Sequence, residues 1–196
     1  MKALLRAGAL CCAALLAALQ TAPAEADGDD TALTNLVALV SQRLALAEPV
    51  AHWKWVNRRS ITDSVREQAL LADVQKRAIS AGVDPSFAHK FFADQIEANS
   101  AVQTALFETW RASQPPAGPP PDLSSVIRPQ LDRLTPQLIA GLARVQAMRT
   151  APDCPTRVAR SISNWKSLTR YDSVRTDALT RALGHVCESG GVGGVA

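Results

Sequence analysis

The chain has 196 residues, 47% of them hydrophobic and 20% charged, which suits one globular domain with a sizeable core. Its formal net charge of +3 is too small to argue for nucleic acid or an anionic membrane as a partner. It leaves room for a local positive site.

Residues 1–26 read as a secretory signal peptide. Lys2 and Arg6 form the positive region, and Ala7 through Leu19 form an apolar stretch too short for a mature transmembrane helix. Ala22-Pro23-Ala24 and Ala24-Glu25-Ala26 both fit the small-x-small cleavage rule. We favour the cut after Ala26, before Asp27-Gly28-Asp29-Asp30. Residues 27–196 are then the mature domain, periplasmic or secreted and without a membrane attachment. Cys11 and Cys12 fall in the signal, which leaves Cys154 and Cys187. Two cysteines in an exported protein usually pair, so a disulfide is expected in the C-terminal half. No zinc spacing is present, since His52, His89 and His185 are scattered, and the Glu-x-x-His signature of di-iron bundles is also missing.

The pattern predicts an all-α, single-domain bundle of about six helices. The first runs from about Thr31 to Arg58, with Asp30 or Thr31 as N-cap and a kink at Pro49. The second starts near Thr62 or Asp63 and ends near Ala81-Gly82. Asp84-Pro85 starts the third, which continues to about Trp110. Gln114-Pro115-Pro116-Ala117-Gly118-Pro119-Pro120-Pro121 is a stiff polyproline connector. Asp122 or Ser124 caps a fourth helix reaching about Met148, with Pro129 near its start and a second kink at Pro136. Two more helices follow, near Cys154–Leu168 and Ser173–Cys187, and the bridge would tie the start of one to the end of the other. Gly190–Ala196 reads as a frayed tail.

Polar residues interrupt the inward stripes of three helices. Leu33, Leu36, Val40, Arg43, Ala47, Val50 and Lys54 recur at steps of three and four, so Arg43 and Lys54 should face inward. Asp63, Arg66 and Glu67 can converge as i, i+3 and i+4, and Asn99 and Gln103 form an i, i+4 pair. Buried cations need an anion to meet them. A pocket for a small dianionic ligand is the natural expectation. Taken singly, each group has a plainer explanation. Arg43 fits a structural ion pair about as well. Asp63, Arg66 and Glu67 suit a solvated helix start. Asn99 and Gln103 could be a polar stripe between helices. Trp53, Trp55, Trp110 and Trp165 suit core or interface better than ligand stacking.

The order of residues resembles the all-helical chorismate mutases, in particular the secreted class with an extended C-terminal half. The similar segments are Arg43-Leu44 through Glu48-Pro49-Val50-Ala51 to Lys54-Trp55, then Ile61-Thr62-Asp63-Ser64 with Arg66. Asp84-Pro85, Phe92-Ala93-Asp94-Gln95-Ile96, Pro121-Asp122-Leu123 and the paired cysteines follow. The resemblance covers essentially the whole mature chain and is strongest from Arg43 to Gln103. It implies isomerisation of chorismate to prephenate by a Claisen rearrangement, which needs no nucleophile and no cofactor. It implies that Arg43, Arg66 and Arg128 bind the substrate carboxylates, and that Lys54 and Gln103 hydrogen-bond the ether oxygen. Glu67, with the Asp63 region, would position the ring hydroxyl. Asn99 stands where the family commonly has a small hydroxyl residue, and its amide can still donate to a carboxylate. A homodimer with each pocket built from one chain is also implied. The competing expectation is an exported helical-bundle interaction protein without catalytic activity.

Overall fold

The computed structural model describes residues 24–192, with side chains from residue 28. Of the expected signal peptide only Ala24–Ala26 are described, and residues 193–196 of the expected tail also lie outside. Among the described residues the secondary structure is helical, with no strand. Helix α1 spans Ala24–Ala45 and α2 spans Ala47–Val56. α3 spans Ser64–Ser80 and α4 spans Pro85–Ala112. α5 spans Arg128–Val145, α6 spans Cys154–Thr169 and α7 spans Ser173–Ala182.

The first expected helix is thus divided in two, and the break falls at Leu46, not at Pro49 itself. Proline has no N–H and its ring crowds the carbonyl four residues back, here that of Ala45. The backbone tightens instead, with the Leu46 N–H donating to the Arg43 carbonyl at 3.2 Å. α1 also begins earlier than expected, so neither Asp30 nor Thr31 is an N-cap. Asp30 faces α6, where it accepts from buried Arg157 at 2.7 Å. The second proline behaves differently, because α5 runs through Pro136 without interruption.

The next two helix starts follow the sequence closely. Asp63 accepts from the Arg66 N–H at 3.3 Å, and Glu67 reaches back to accept from the Asp63 N–H at 3.1 Å. Asp84 accepts from the Ser86 N–H at 2.8 Å ahead of Pro85. Gly82, with φ of +70°, closes α3 in the left-handed conformation that glycine adopts without penalty.

α5 is preceded by a single π-helical turn over Leu123–Ile127, capped by Asp122, which accepts from the Ser124 and Ser125 N–H groups. The Ile127 N–H reaches the Asp122 carbonyl at 3.2 Å, one residue beyond α-helical register. This wider turn accommodates Pro129, which can neither donate to Ser125 nor tolerate a tight carbonyl there. At the other end α5 stops at Val145 and a 3-10 turn, Ala147–Thr150, follows.

α1 lies at the centre, packed against α5, α6 and α7, while α4 packs against α7, α3 and α2. The core joins Leu36, Val37 and Val40 of α1 to Phe87, Phe91 and Phe92 of α4, Leu138 and Leu142 of α5, and Leu179 of α7. Gly141 permits the close approach of α5 to α1, since a Cβ there would stand 3.0 Å from Leu36 Cδ1. Trp55 meets Phe107 and Trp110 edge-to-face, joining α2 to α4.

Cys154 and Cys187 are joined, with Cα atoms 5.8 Å apart. α7 ends at Ala182, so Cys187 sits in the turns beyond it and not at the helix end. The cause is local. Gly184 packs against the Asp94 carboxylate, which accepts from the His185 N–H at 2.9 Å and contacts the ring Nδ1 at 2.8 Å. Arg149 stacks 3.6 Å above Phe87 and donates to the Val186 carbonyl, fixing the same segment. Closing a 33-residue separation stabilises the fold by about 3–4 kcal/mol if chain entropy dominates. Mature protein labelled in denaturant without reductant should therefore show no free thiol, and reduction should lower its melting temperature. Two labelled cysteines per chain would overturn the pairing.

Candidate active site

All eight residues singled out from the sequence line one cavity: Arg43, Lys54, Asp63, Arg66, Glu67, Asn99, Gln103 and Arg128. α1 supplies Arg43 and α2 supplies Lys54 from one face, although the helix breaks between them. α3 brings Arg66 and Glu67 with its cap Asp63, and α4 brings Asn99 and Gln103. Arg128 arrives as the first residue of α5, aimed by the π-helical turn before it. The walls between these groups are apolar, from Val50, Ile61, Leu70, Ile96, Leu123 and Leu131.

Arg43 is 6% exposed and makes no ion pair among the described residues. This removes the structural ion-pair explanation. Its Nε is buried without a partner, and so are Arg128 Nε and Gln103 Oε1. These three residues, each with a polar atom buried without a partner, line one cavity, and a buried polar group without a partner costs free energy. Burial holds the Arg43 pKa down, at about 10, and the neighbouring charge of Arg66 adds to the effect. Burial also lowers the Lys54 pKa, against the opposing pull of the Asp63 and Glu67 carboxylates. Both shifts share one leading cause: burial withdraws positive charge from water.

Some groups are already held. The Lys54 ammonium donates to the Ile61 carbonyl, which ties it to the loop before α3. That contact was not legible beforehand, because it uses a backbone oxygen that no side-chain pattern reports. Asn99 spends one amide hydrogen on the Gln95 carbonyl at 3.0 Å. Its Oδ1 and second hydrogen have no partner among the described residues. Glu67 commits Oε1 to the Asp63 N–H, leaving Oε2. The helix-start explanation of Asp63 and Glu67 and the cavity explanation therefore hold together. Gln103 has no hydrogen bond to either amide atom among the described residues. Ser100, one helical turn before Gln103, also lines the cavity and was not anticipated; its i, i+3 spacing was the available signal.

Residues 33–104 match the family described as chorismate mutase type II. The secreted chorismate mutase of Mycobacterium tuberculosis is 33% identical over 178 residues, covering 89% of this chain and 87% of that one. The crystal structure of a chorismate mutase from Burkholderia thailandensis is 68% identical with a TM-score of 0.79, covering 80% of this chain and 99% of that one. A second crystal structure, of the chorismate mutase from Burkholderia phymatum, is 33% identical with a TM-score of 0.77. It covers 81% of this chain and 98% of the other.

Proposed function

This chain belongs to the chorismate mutase family, and we propose that the cavity described above is where it converts chorismate to prephenate. The reaction is a Claisen rearrangement: the ether C–O bond breaks as a C–C bond forms, within one substrate. Electrons move around a closed ring of atoms, so the protein has no proton to abstract and no adduct to form. Its task is to hold the substrate in a compact conformer and to meet the negative charge that develops on the ether oxygen.

The observation that carries this assignment is one cavity lined by Arg43, Gln103 and Arg128, each with a buried polar atom that has no partner among the described residues, together with Lys54, Arg66 and Asn99. Arg43, Arg66 and Arg128 bind the two carboxylates, with guanidinium forks suited to bidentate contact. Lys54 and Gln103 donate to the ether oxygen. Asn99 assists a carboxylate, and Glu67 beside Asp63 accepts from the ring hydroxyl. The loss of chorismate absorbance on adding purified mature protein tests the assignment. An inert, correctly folded protein would favour the interaction-protein alternative.

The protein works outside the cytoplasm, in the periplasm or secreted. The named relative from Mycobacterium tuberculosis is secreted, and a disulfide persists in an oxidising compartment. We expect a signal peptide at residues 1–26 and a homodimer, checked by the N-terminal sequence and the solution mass of exported protein.

The lowered pKa values set a pH dependence. Lys54 and Arg43 act in their protonated forms, so a lowered pKa moves their loss to lower pH. For the free enzyme, kcat/KM should fall as pH rises towards 10, below the range of an ordinary lysine. The dianionic ligand favours the charged forms, so the alkaline limb of kcat should lie at higher pH. Parallel kcat and kcat/KM profiles check this, and a kcat/KM level through pH 10.5 would remove Lys54 from substrate recognition.

A further inference from the structure

A second cleft adjoins the active cavity and shares Lys54, Asp63, Leu123 and Arg128 with it. Its other lining includes Trp53, Arg58, Arg59 and Ser60. Arg58 and Arg59 are exposed, and neither makes an ion pair among the described residues. Across the two joined cavities six cations, Arg43, Lys54, Arg58, Arg59, Arg66 and Arg128, face only the carboxylates of Asp63 and Glu67. The whole chain carries a net charge of only +3, so the excess is concentrated here.

The backbone that presents these arginines is specific. α2 ends in a Schellman motif, in which the Arg59 N–H donates to the Lys54 carbonyl at 2.8 Å and the Arg58 N–H to the Trp55 carbonyl at 3.2 Å. Arg58 occupies the left-handed position of that motif, with φ of +53°. Glycine belongs there on conformational grounds, and an arginine strains the backbone. The local stability rule is broken at a position that puts a cation on the cleft leading to the cavity. Such departures concentrate where function requires them.

We propose that this cleft is an outer carboxylate-binding site, in which Arg58 and Arg59 draw in the dianionic substrate and hold it before it passes to the inner arginines. The inference rests on the assignment of the inner cavity to chorismate. Arg58 and Arg59 are positioning residues and do not touch the reacting atoms. Long-range attraction into a charged cleft raises the local substrate concentration, an effect of about 10–10³-fold that salt removes.

The test compares steady-state kinetics of wild type, the Arg58→Ala/Arg59→Ala double variant, Arg58→Gly and Arg170→Gly. Each is measured at ionic strengths of about 0.01 M and about 1 M, between which the screening length falls from about 30 Å to about 3 Å. At low salt the double variant should show a KM roughly tenfold higher with kcat unchanged, and high salt should close the gap. Arg58→Gly should raise the melting temperature, by relieving strain, and still raise KM at low salt. Arg170 has the same left-handed conformation, with φ of +54°, but lines neither cavity. Arg170→Gly should stabilise the protein with KM unchanged. The proposal is overturned if KM of an active double variant and of Arg58→Gly stays at the wild-type value at low salt, or if the defect is equal at both ionic strengths. A wild type without turnover would instead overturn the assignment of the inner cavity.

Discussion

Lys54→Ala is expected to cut kcat by about 10²–10³-fold, which corresponds to loss of one preorganised donor worth about 2.7–4 kcal/mol at the transition state. Three features make Lys54 the most sensitive position. It stands on the inward face of α2 and lines the cavity. Its ammonium is partly desolvated, so its charge acts with less screening than at the surface. Its bond to the Ile61 carbonyl holds it in place before substrate arrives, so little reorganisation is needed in the reaction. The same bond means that alanine could loosen the loop before α3. Lys54→Met keeps the apolar stem and removes the charge, and should lose activity to the same degree. Circular dichroism and thermal melting of both variants check the fold. Near-normal kcat in a folded Lys54→Met protein would exclude the lysine from the reacting oxygen.

Gln103→Glu is expected to turn a pH-insensitive enzyme into one that works only in acid. The Gln103 amide donates at every pH, so the wild-type kcat should be nearly flat from mildly acidic to mildly alkaline solution. An introduced carboxyl donates only while protonated. Once ionised it would oppose the negative charge growing on the ether oxygen. The sign follows directly: activity of the variant is present below the carboxyl pKa and lost as pH rises through it. Burial of Gln103 favours the neutral carboxyl, whereas Lys54, which also lines the cavity, favours the ionised one. Paired pH–rate profiles of wild type and variant decide the matter. Coincident curves would show that the side chain at this position does not reach the reacting oxygen, and α4 would then contribute only to substrate binding.

Both variants probe residues that the sequence already marked, and this follows from how helices encode their faces. A spacing of three and four assigns Arg43 and Lys54 to an inward stripe whether or not the helix stays continuous, because the break at Leu46 falls within one turn and preserves the face. The starts of α3 and α4 were equally legible, since Asp63 and Asp84 act on N–H groups two or three residues away. The cysteine pair followed from export and number alone.

What the sequence could not decide depended on contacts between distant segments. Asp30 has the chemistry of a cap for α1, and only Arg157, 127 residues later, shows that it is an ion-pair partner inside a longer helix. The end of α7 is set by Asp94, 91 residues earlier, which accepts from the His185 N–H beyond the helix. The π-helical turn that aims Arg128 arises where Asp122 capping and the demands of Pro129 compete, and a helical pattern does not reveal which register wins. The Lys54–Ile61 contact uses a carbonyl, which every residue possesses. Local sequence determined the helices, their inward faces and the residue types of the site. Tertiary packing alone decided which charges stay unpaired, because whether a cation is satisfied depends on every surface brought against it.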